Sequence, residues 1–333
     1  MIDLAVVGAG PCGLAVGAAA KRAGLTASLF DKGPVVSSLM RYPVYMSFFS
    51  TAEKLEIAGV PFVTSGEKPT RREALTYYRK VAEYFELDVR QYHEVRDVRR
   101  AAGAFEVEAS HPHSAEPEIL KARHVVYATG YFENPNLLGV PGESLPHVSH
   151  FFTEAHPYWR QRVVIVGGSN SAVEAALELH RVGARSTIVH FLKQFDANVK
   201  PWIVPDITNR LKDGSVAVRF GYRVSEITPA SVVIRSERNG STDVLETDFV
   251  LALTGYRADQ AVLRRMGVRV DDVTGIPTHD PETMETNVPG VYIAGVLAAG
   301  FNANRIFIEN GRLHGDLICA DIKAKPPKVA PGG

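Results

Sequence analysis

An apolar strand running straight into a glycine-rich turn and then a helix restricts a chain to few folds, and this sequence opens with that pattern. Leu4-Ala5-Val6-Val7 leads into Gly8-Ala9-Gly10-Pro11-Cys12-Gly13, and an Ala-rich helical stretch follows. Gly8 permits the tight turn, Gly10 lets the backbone approach a pyrophosphate, and Gly13 lets the helix lie close on the strand. With Pro11 in the first turn, free N–H groups at the helix start face the phosphates. Asp31, with Lys32 beside it, closes the next apolar run, Ala27-Ser28-Leu29-Phe30, where a carboxylate would take a ribose hydroxyl.

The pattern recurs. Val163-Val164-Ile165-Val166 runs into Gly167-Gly168-Ser169-Asn170-Ser171-Ala172, with Ser169 at the second glycine position and Ala172 at the third. The matching second strand, Ser186-Thr187-Ile188-Val189-His190, ends without an acid and is followed by Lys193. A carboxylate there would repel a 2′-phosphate and a cation would attract it, so NADPH is expected, with Lys200 as reinforcement and Arg185 as a further candidate. Two nucleotide sites in one chain imply electron transfer between their cofactors. The expected fold class is therefore α/β, with two Rossmann-like dinucleotide-binding domains.

The intervening segments place the domains. Ser37 to Ser50 is an irregular, aromatic-rich loop suited either to covering a flat ring system or to packing its own aromatics. Thr70-Arg71-Arg72-Glu73 reads as a capping box opening a helix over 74–85. Strands over 88–91, 95–99, 105–109 and 119–127 suggest an antiparallel meander ahead of a parallel strand, so that the first domain is discontinuous and carries the meander. That parallel strand ends at Ala128-Thr129-Gly130, and a later buried strand over 249–254 ends at Gly255-Tyr256, both strand-end positions belonging to the ligand crevice of an open sheet. The segment 134–157 reads as a connection. Its histidines, His147, His150 and His156, read as polar loop residues, and no metal is expected. Strands over 216–220, 232–235 and 244–247, the last two around Asn239-Gly240, complete the second domain. The chain then returns through Thr286 to Val296 to a last helix over 304–322, whose N-terminus again offers free N–H groups. The expected domains are 1–150 and 257–322 for the first, 151–256 for the second, and a disordered tail over 323–333.

Composition narrows the partners. Lys plus Arg and Asp plus Glu both number 37, so nothing favours nucleic acid or an anionic membrane. The two cysteines, Cys12 and Cys319, form no disulfide framework, which fits a reducing cytoplasm. Asp3 in place of a basic flank, and the glycines within the first twenty residues, argue against a signal peptide, and no membrane span is expected. Cys12 lies in the first helical turn, where oriented N–H groups would lower its pKa and make it a nucleophile. Equally, it could be a small residue filling a tight spot.

These motifs resemble the two-dinucleotide-binding-domain flavoproteins, the superfamily of thioredoxin and glutathione reductases. Gly8–Gly13 with Asp31 resembles the FAD site, Gly167–Ala172 the NADPH site, and Thr286–Gly295 the Thr-x-x-Pro-Gly-x-Tyr-x-x-Gly segment that returns to the flavin. That segment usually ends Gly-Asp, the Asp meeting the ribityl chain, whereas Val296 follows Gly295 here. A backbone or water contact is expected instead. No Cys-x-x-Cys pair is present, which excludes a dithiol mechanism.

More narrowly, the Gly-Pro-Cys-Gly loop, Tyr42-Pro43 with Met46 and Phe48-Phe49-Ser50, Lys200-Pro201-Trp202 and Ile308-Glu309-Asn310-Gly311-Arg312 resemble the bacillithiol disulfide reductase family. The resemblance implies an NADPH-dependent flavoenzyme reducing a small-molecule disulfide, that of bacillithiol; a cytoplasmic homo-oligomer is expected. FAD would meet the first loop together with Met46, Phe49, Thr129, Gly130, Gly295, Arg305 and Ile306. NADPH would meet the second loop with His190, Lys193, Lys200, Gly255 and Tyr256. Hydride would pass from NADPH to FAD, the Ile306 region would stabilise negative charge on the flavin, and Cys12 would attack the disulfide. A ferredoxin or flavodoxin reductase, a flavin monooxygenase and a nicotinamide-sensing flavoprotein stay open as alternatives.

Overall fold

The computed structural model describes residues 1–302 and 305–325. The chain divides into two compact units, one of residues 1–40, 45–134 and 257–333, the other of residues 41–44 and 135–256.

In the first unit, β1 (Ile2–Val7), β2 (Ala27–Phe30), β3 (Asp88–Arg90), β4 (Glu94–Ala101), β5 (Ala104–Ser110) and β6 (Glu118–Tyr127) form a sheet in the order β3-β2-β1-β6-β5-β4. β1, β2 and β3 are parallel, β6 is parallel to β1, and β4, β5 and β6 form the antiparallel meander. β6 serves both parts because its first half pairs β5 while its last residues, Val125–Tyr127, pair β1 and the returning strand Val291–Ile293.

Small residues govern the packing on this sheet. The helix Pro11–Arg22 lies so close that a Cβ on Gly17 would come within 3.0 Å of Leu29 Cδ1. The last helix, His314–Ala324, lies on the first one, where a Cβ on Gly315 would meet Ala15 O at 2.8 Å. Leu4, Val6, Leu14 and Leu29 are fully buried between these layers, each contributing about 1.5–3 kcal/mol on burial. The helix Arg71–Tyr84 begins at the expected capping box, Thr70 with Glu73, and buries Tyr78 completely.

In the second unit, β7 (Val148–Ser149), β8 (Arg162–Val166), β9 (Arg185–His190), β10 (Val216–Phe220) and β14 (Phe249–Ala252) form an all-parallel sheet in the order β10-β9-β8-β14-β7. β11 (Tyr222–Ile227), β12 (Ser231–Ser236) and β13 (Thr242–Glu246) form an antiparallel ribbon. The helix Asn170–Arg181 packs Val173, Ala176 and Leu179 against Ile165 and Ile188.

Three expectations about organisation change. Residues 135–150 fall in the second unit, because β7 adds to its sheet beside β14. The expected last helix is broken at Arg312-Leu313 into a four-residue turn, Ile308–Gly311, and the helix His314–Ala324. Its proposed start, Asn304, lies outside the described residues. The helix also runs through Lys323 and Ala324, expected to belong to a disordered tail, since Lys325 Nζ pairs with Glu285 at 2.7 Å and meets Tyr292 Oη at 3.0 Å. The remaining tail residues lie outside the described ones. Among the described residues, no helix is long and apolar enough to cross a membrane.

Candidate functional site

The first loop is shaped by backbone that leaves no room for side chains. Gly8 has φ +107°, and a Cβ there would stand 2.5 Å from Ala128 O; one on Gly13 would stand 1.9 Å from Gly8 O. Gly10 is the opposite case, because a Cβ there would meet nothing within 4 Å. The turn is thus tight against β1 and β6 but open at the position where a pyrophosphate would approach. No side chain caps the helix that starts at Pro11, which leaves its first amides to an outside acceptor.

Asp31 holds the loop from the end of β2. Its Oδ2 accepts the Ala9 N–H at 2.8 Å, and its Oδ1 accepts the Gly33 N–H at 2.9 Å and the Ser37 hydroxyl at 3.1 Å. Burial raises the Asp31 carboxyl above the usual carboxylate range, the backbone bonds lower it, and the nearby Glu133 raises it again. Glu133, three residues past Gly130, is a second acid at this end of the sheet that sequence reasoning missed. It accepts from Ser37 Oγ at 3.1 Å and pairs with Lys32 Nζ at 2.8 Å. Thr129 and Gly130 follow Ala128 directly, next to Gly8.

The returning segment meets the loop through Cys12. A Cβ on Gly295 would stand 3.0 Å from Cys12 Sγ, and one on Gly311 would stand 2.8 Å from it and 3.4 Å from Ile306 Cγ2. Two glycines therefore cradle the thiol. This corrects the expectation of a depressed thiol pKa: although the residue as a whole is partly exposed, burial pushes the Cys12 thiol up to about 12. Burial of the thiol disfavours its charged form. Cys319 is buried in the last helix, and burial raises its thiol to about 12 as well.

Val296 stands where the usual Asp is missing, and the preceding Gly295 is held by His314. The Gly295 N–H donates to His314 Nδ1 at 3.2 Å, and burial, with His279 nearby, depresses the imidazole to about 4. Ile306 precedes only the four-residue turn Ile308–Gly311, which corrects the expectation of a long helix dipole at that position. Arg305 is exposed, its carbonyl accepting from Asn310 Nδ2 at 3.1 Å. In the aromatic loop, Phe48 is buried while Phe49 is 45% exposed, and the Met46 carbonyl accepts the Arg71 N–H at 2.8 Å.

The second loop repeats the steric design. Gly167 has φ +140°, and a Cβ there would stand 2.4 Å from Leu253 O, the counterpart of Gly8 against Ala128. A Cβ on Gly168 would fall 2.4 Å from the His190 ring. Ser169 Oγ lies 3.1 Å from Asn198 Oδ1, Asn170 Nδ2 donates to Asn198 O at 3.1 Å, and the Lys200 N–H donates to Asn170 Oδ1 at 2.9 Å. No side chain caps the helix beginning at Asn170. Ser171 and Lys193 are exposed, and Lys200 Nζ lies 5.8 Å from the Trp202 ring centroid. Tyr256 Oη donates to His150 O at 2.8 Å, its ring stacks on Phe151 at 5.5 Å, and the adjacent Gly255 has φ +84°.

The chemistry of these residues fits two dinucleotides. Each loop combines uncapped amides with glycines that no other residue could replace, and the first loop also opens outward at Gly10.

Comparison with known proteins agrees. The family model described as pyridine nucleotide-disulphide oxidoreductase matches residues 5–295. Bacilliredoxin reductase Bdr of Bacillus subtilis is 44% identical over 318 residues, covering 95% of this chain and 96% of that protein. Among solved structures, bacillithiol disulfide reductase Bdr (YpdA) from Bacillus cereus superposes with a TM-score of 0.94 at 41% identity, covering 97% of this chain and 99% of that one. The Staphylococcus aureus enzyme of the same description gives 0.91 at 38% identity, covering 97% and 98%.

Proposed function

This chain belongs to the pyridine nucleotide-disulphide oxidoreductase family, and on that premise we propose that it is an NADPH-dependent FAD enzyme reducing a low-molecular-weight thiol disulfide, bacillithiol disulfide. The observation that carries the proposal is the pair of strand-end carbonyls, Ala128 O and Leu253 O, each closing a glycine turn within 2.5 Å of where a side chain would begin. One chain thus holds two nucleotide cradles of the same design. When bound, FAD supplies the capacity to take a hydride from NADPH and give two electrons to a disulfide.

The chain's own residues bind and orient. Asp31 fixes the Ala9 amide, Glu133 and Lys32 flank the ribose position, and the uncapped helix start at Pro11–Gly13 receives the pyrophosphate. His314 Nδ1 holds the Gly295 amide. Cys12, once deprotonated, attacks one substrate sulfur; a new S–S bond forms on Cys12, the old one breaks, and one thiolate leaves to take a proton from solvent. Two electrons and two protons then restore the Cys12 thiol and free the second thiol.

The glycine cradle and raised thiol favour a second reading, in which Cys12 only packs and the electrons reach the disulfide without it. The proposal extends to a homo-oligomer in a reducing cytoplasm, supported there by two free cysteines. Chromatography of the released flavin and its bleaching by NADPH test the reading of the two cradles: FAD, bleached on adding NADPH, is expected, and FMN or no flavin would contradict it.

A further inference from the structure

The end of β9 carries a cation that the sequence pattern does not reveal. The Gly221 N–H donates to Leu192 O at 2.9 Å, which brings the turn between β10 and β11 against the two residues that follow β9. Arg223, on β11, is thereby placed with its Cζ 4.2 Å from the centroid of the Phe191 ring. Stacking on an aromatic face holds the guanidinium plane and leaves its edge for hydrogen bonding. Among the described residues the carboxylate that Arg223 meets is Glu237, at 3.2 Å from Nε, and this pair is about half exposed, with side chains at 56% and 47%. That pair uses Nε.

Beside Phe191, the His190 ring is 98% enclosed, and among the described residues neither of its ring nitrogens has a hydrogen-bond partner. Its Nε2 lies 3.5 Å from Asp196. The His190 ring also fills the space over Gly168, so it lies on the second nucleotide loop itself. In an open α/β sheet this strand end is where an adenosine ribose is read.

We propose that Arg223, held over Phe191, is the residue that reads a 2′-phosphate, so that this unit selects 2′-phosphorylated adenine nucleotides through a cation from β11 rather than from the loop after β9. A guanidinium fork matches the phosphate monoester, whereas the exposed Lys193 offers a mobile point charge and contributes less. The inference deepens the proposed use of NADPH and rests on that reading for its biological meaning. Its test needs no turnover.

Calorimetry of the flavin-loaded protein with 2′,5′-ADP and with 5′-AMP compares ligands that differ by the one phosphate. Wild type is expected to prefer 2′,5′-ADP by about ten- to a hundredfold, the range of one charge-assisted contact. Arg223→Met is expected to abolish that preference while binding 5′-AMP as wild type does, Arg223→Lys to keep part of it, and Lys193→Glu to change it less than Arg223→Met. Equal binding of the two ligands by wild type, or an undiminished preference in Arg223→Met, would overturn the assignment. Loss of disulfide reduction with this preference intact would instead count against the reductase reading alone.

Discussion

His314 Nδ1 accepts the backbone N–H of Gly295 at 3.2 Å, tying the start of the last helix to the segment that returns from Val291–Ile293. An imidazole can accept there only while Nδ1 is unprotonated. Its pKa of about 4 lies below the ordinary 6.5 because of burial and the charge of His279. Between those values the unfolded chain binds more protons than the folded one, so stability rises with pH across the window, is fully present above about 6.5 and is lost as pH falls toward 4. Melting temperature measured from pH 4 to 7 is expected to fall more steeply on acidification in wild type than in His314→Asn. Parallel curves would remove His314 from this role.

Two neighbouring glycines separate folding from cofactor binding. In Gly13→Ala the new methyl strikes Gly8 O at 1.9 Å, backbone that cannot step aside, and a loss of about 3 kcal/mol is expected from such overpacking. In Gly10→Ala it meets nothing within 4 Å, and φ is already −72°. Stability of that apoprotein is expected to change by no more than about 0.5 kcal/mol, while FAD retention falls because the methyl occupies the approach of the pyrophosphate. Denaturant unfolding of both apoproteins, with flavin content, checks the pair.

The raised Cys12 thiol predicts slow alkylation. With a thiol near 12, the thiolate fraction at pH 7.5 is small, so iodoacetamide labelling of resting protein is expected to be far slower than for a free thiol and to speed up with pH to above 9. Mass spectrometry that finds Cys12 modified as fast as a model thiol at pH 7.5 would show an ionised cysteine and restore the expectation drawn from the helix terminus.

Both nucleotide loops were legible because steric demand imprints itself locally: only glycine fits at Gly8, Gly13 and Gly167, and the strand and helix on either side are contiguous with them. Asp31 was legible for the same reason, by its distance from Gly8. Glu133 and His314 were not, since each reaches the site by the path of the chain through the sheet rather than by spacing. β11 was missed because Tyr222 follows β10 after a single turn residue, Gly221, whose φ of +75° ends one strand and begins another. The break at Arg312-Leu313 escaped because the helical pattern carries no Pro there. The raised thiol of Cys12 escaped because Gly295 and Gly311, nearly three hundred residues away in the chain, enclose it.

Removal of the thiol separates the two readings of Cys12. Cys12→Ala is expected to retain FAD, since a smaller side chain fits the cradle of Gly295 and Gly311, and to be reduced by NADPH at a near-normal rate. Under the nucleophile reading its turnover of bacillithiol disulfide falls by at least about a hundredfold, as loss of an attacking group does. Turnover equal to wild type would assign Cys12 to packing and route the electrons directly to the disulfide.

The most direct measurement of the central claim is NADPH consumption by the flavin-loaded protein with and without bacillithiol disulfide, followed together with released thiol. The account predicts consumption that depends on the disulfide and yields two thiols per NADPH. Consumption that proceeds in air at the same rate without disulfide, or no thiol release at all, would contradict it.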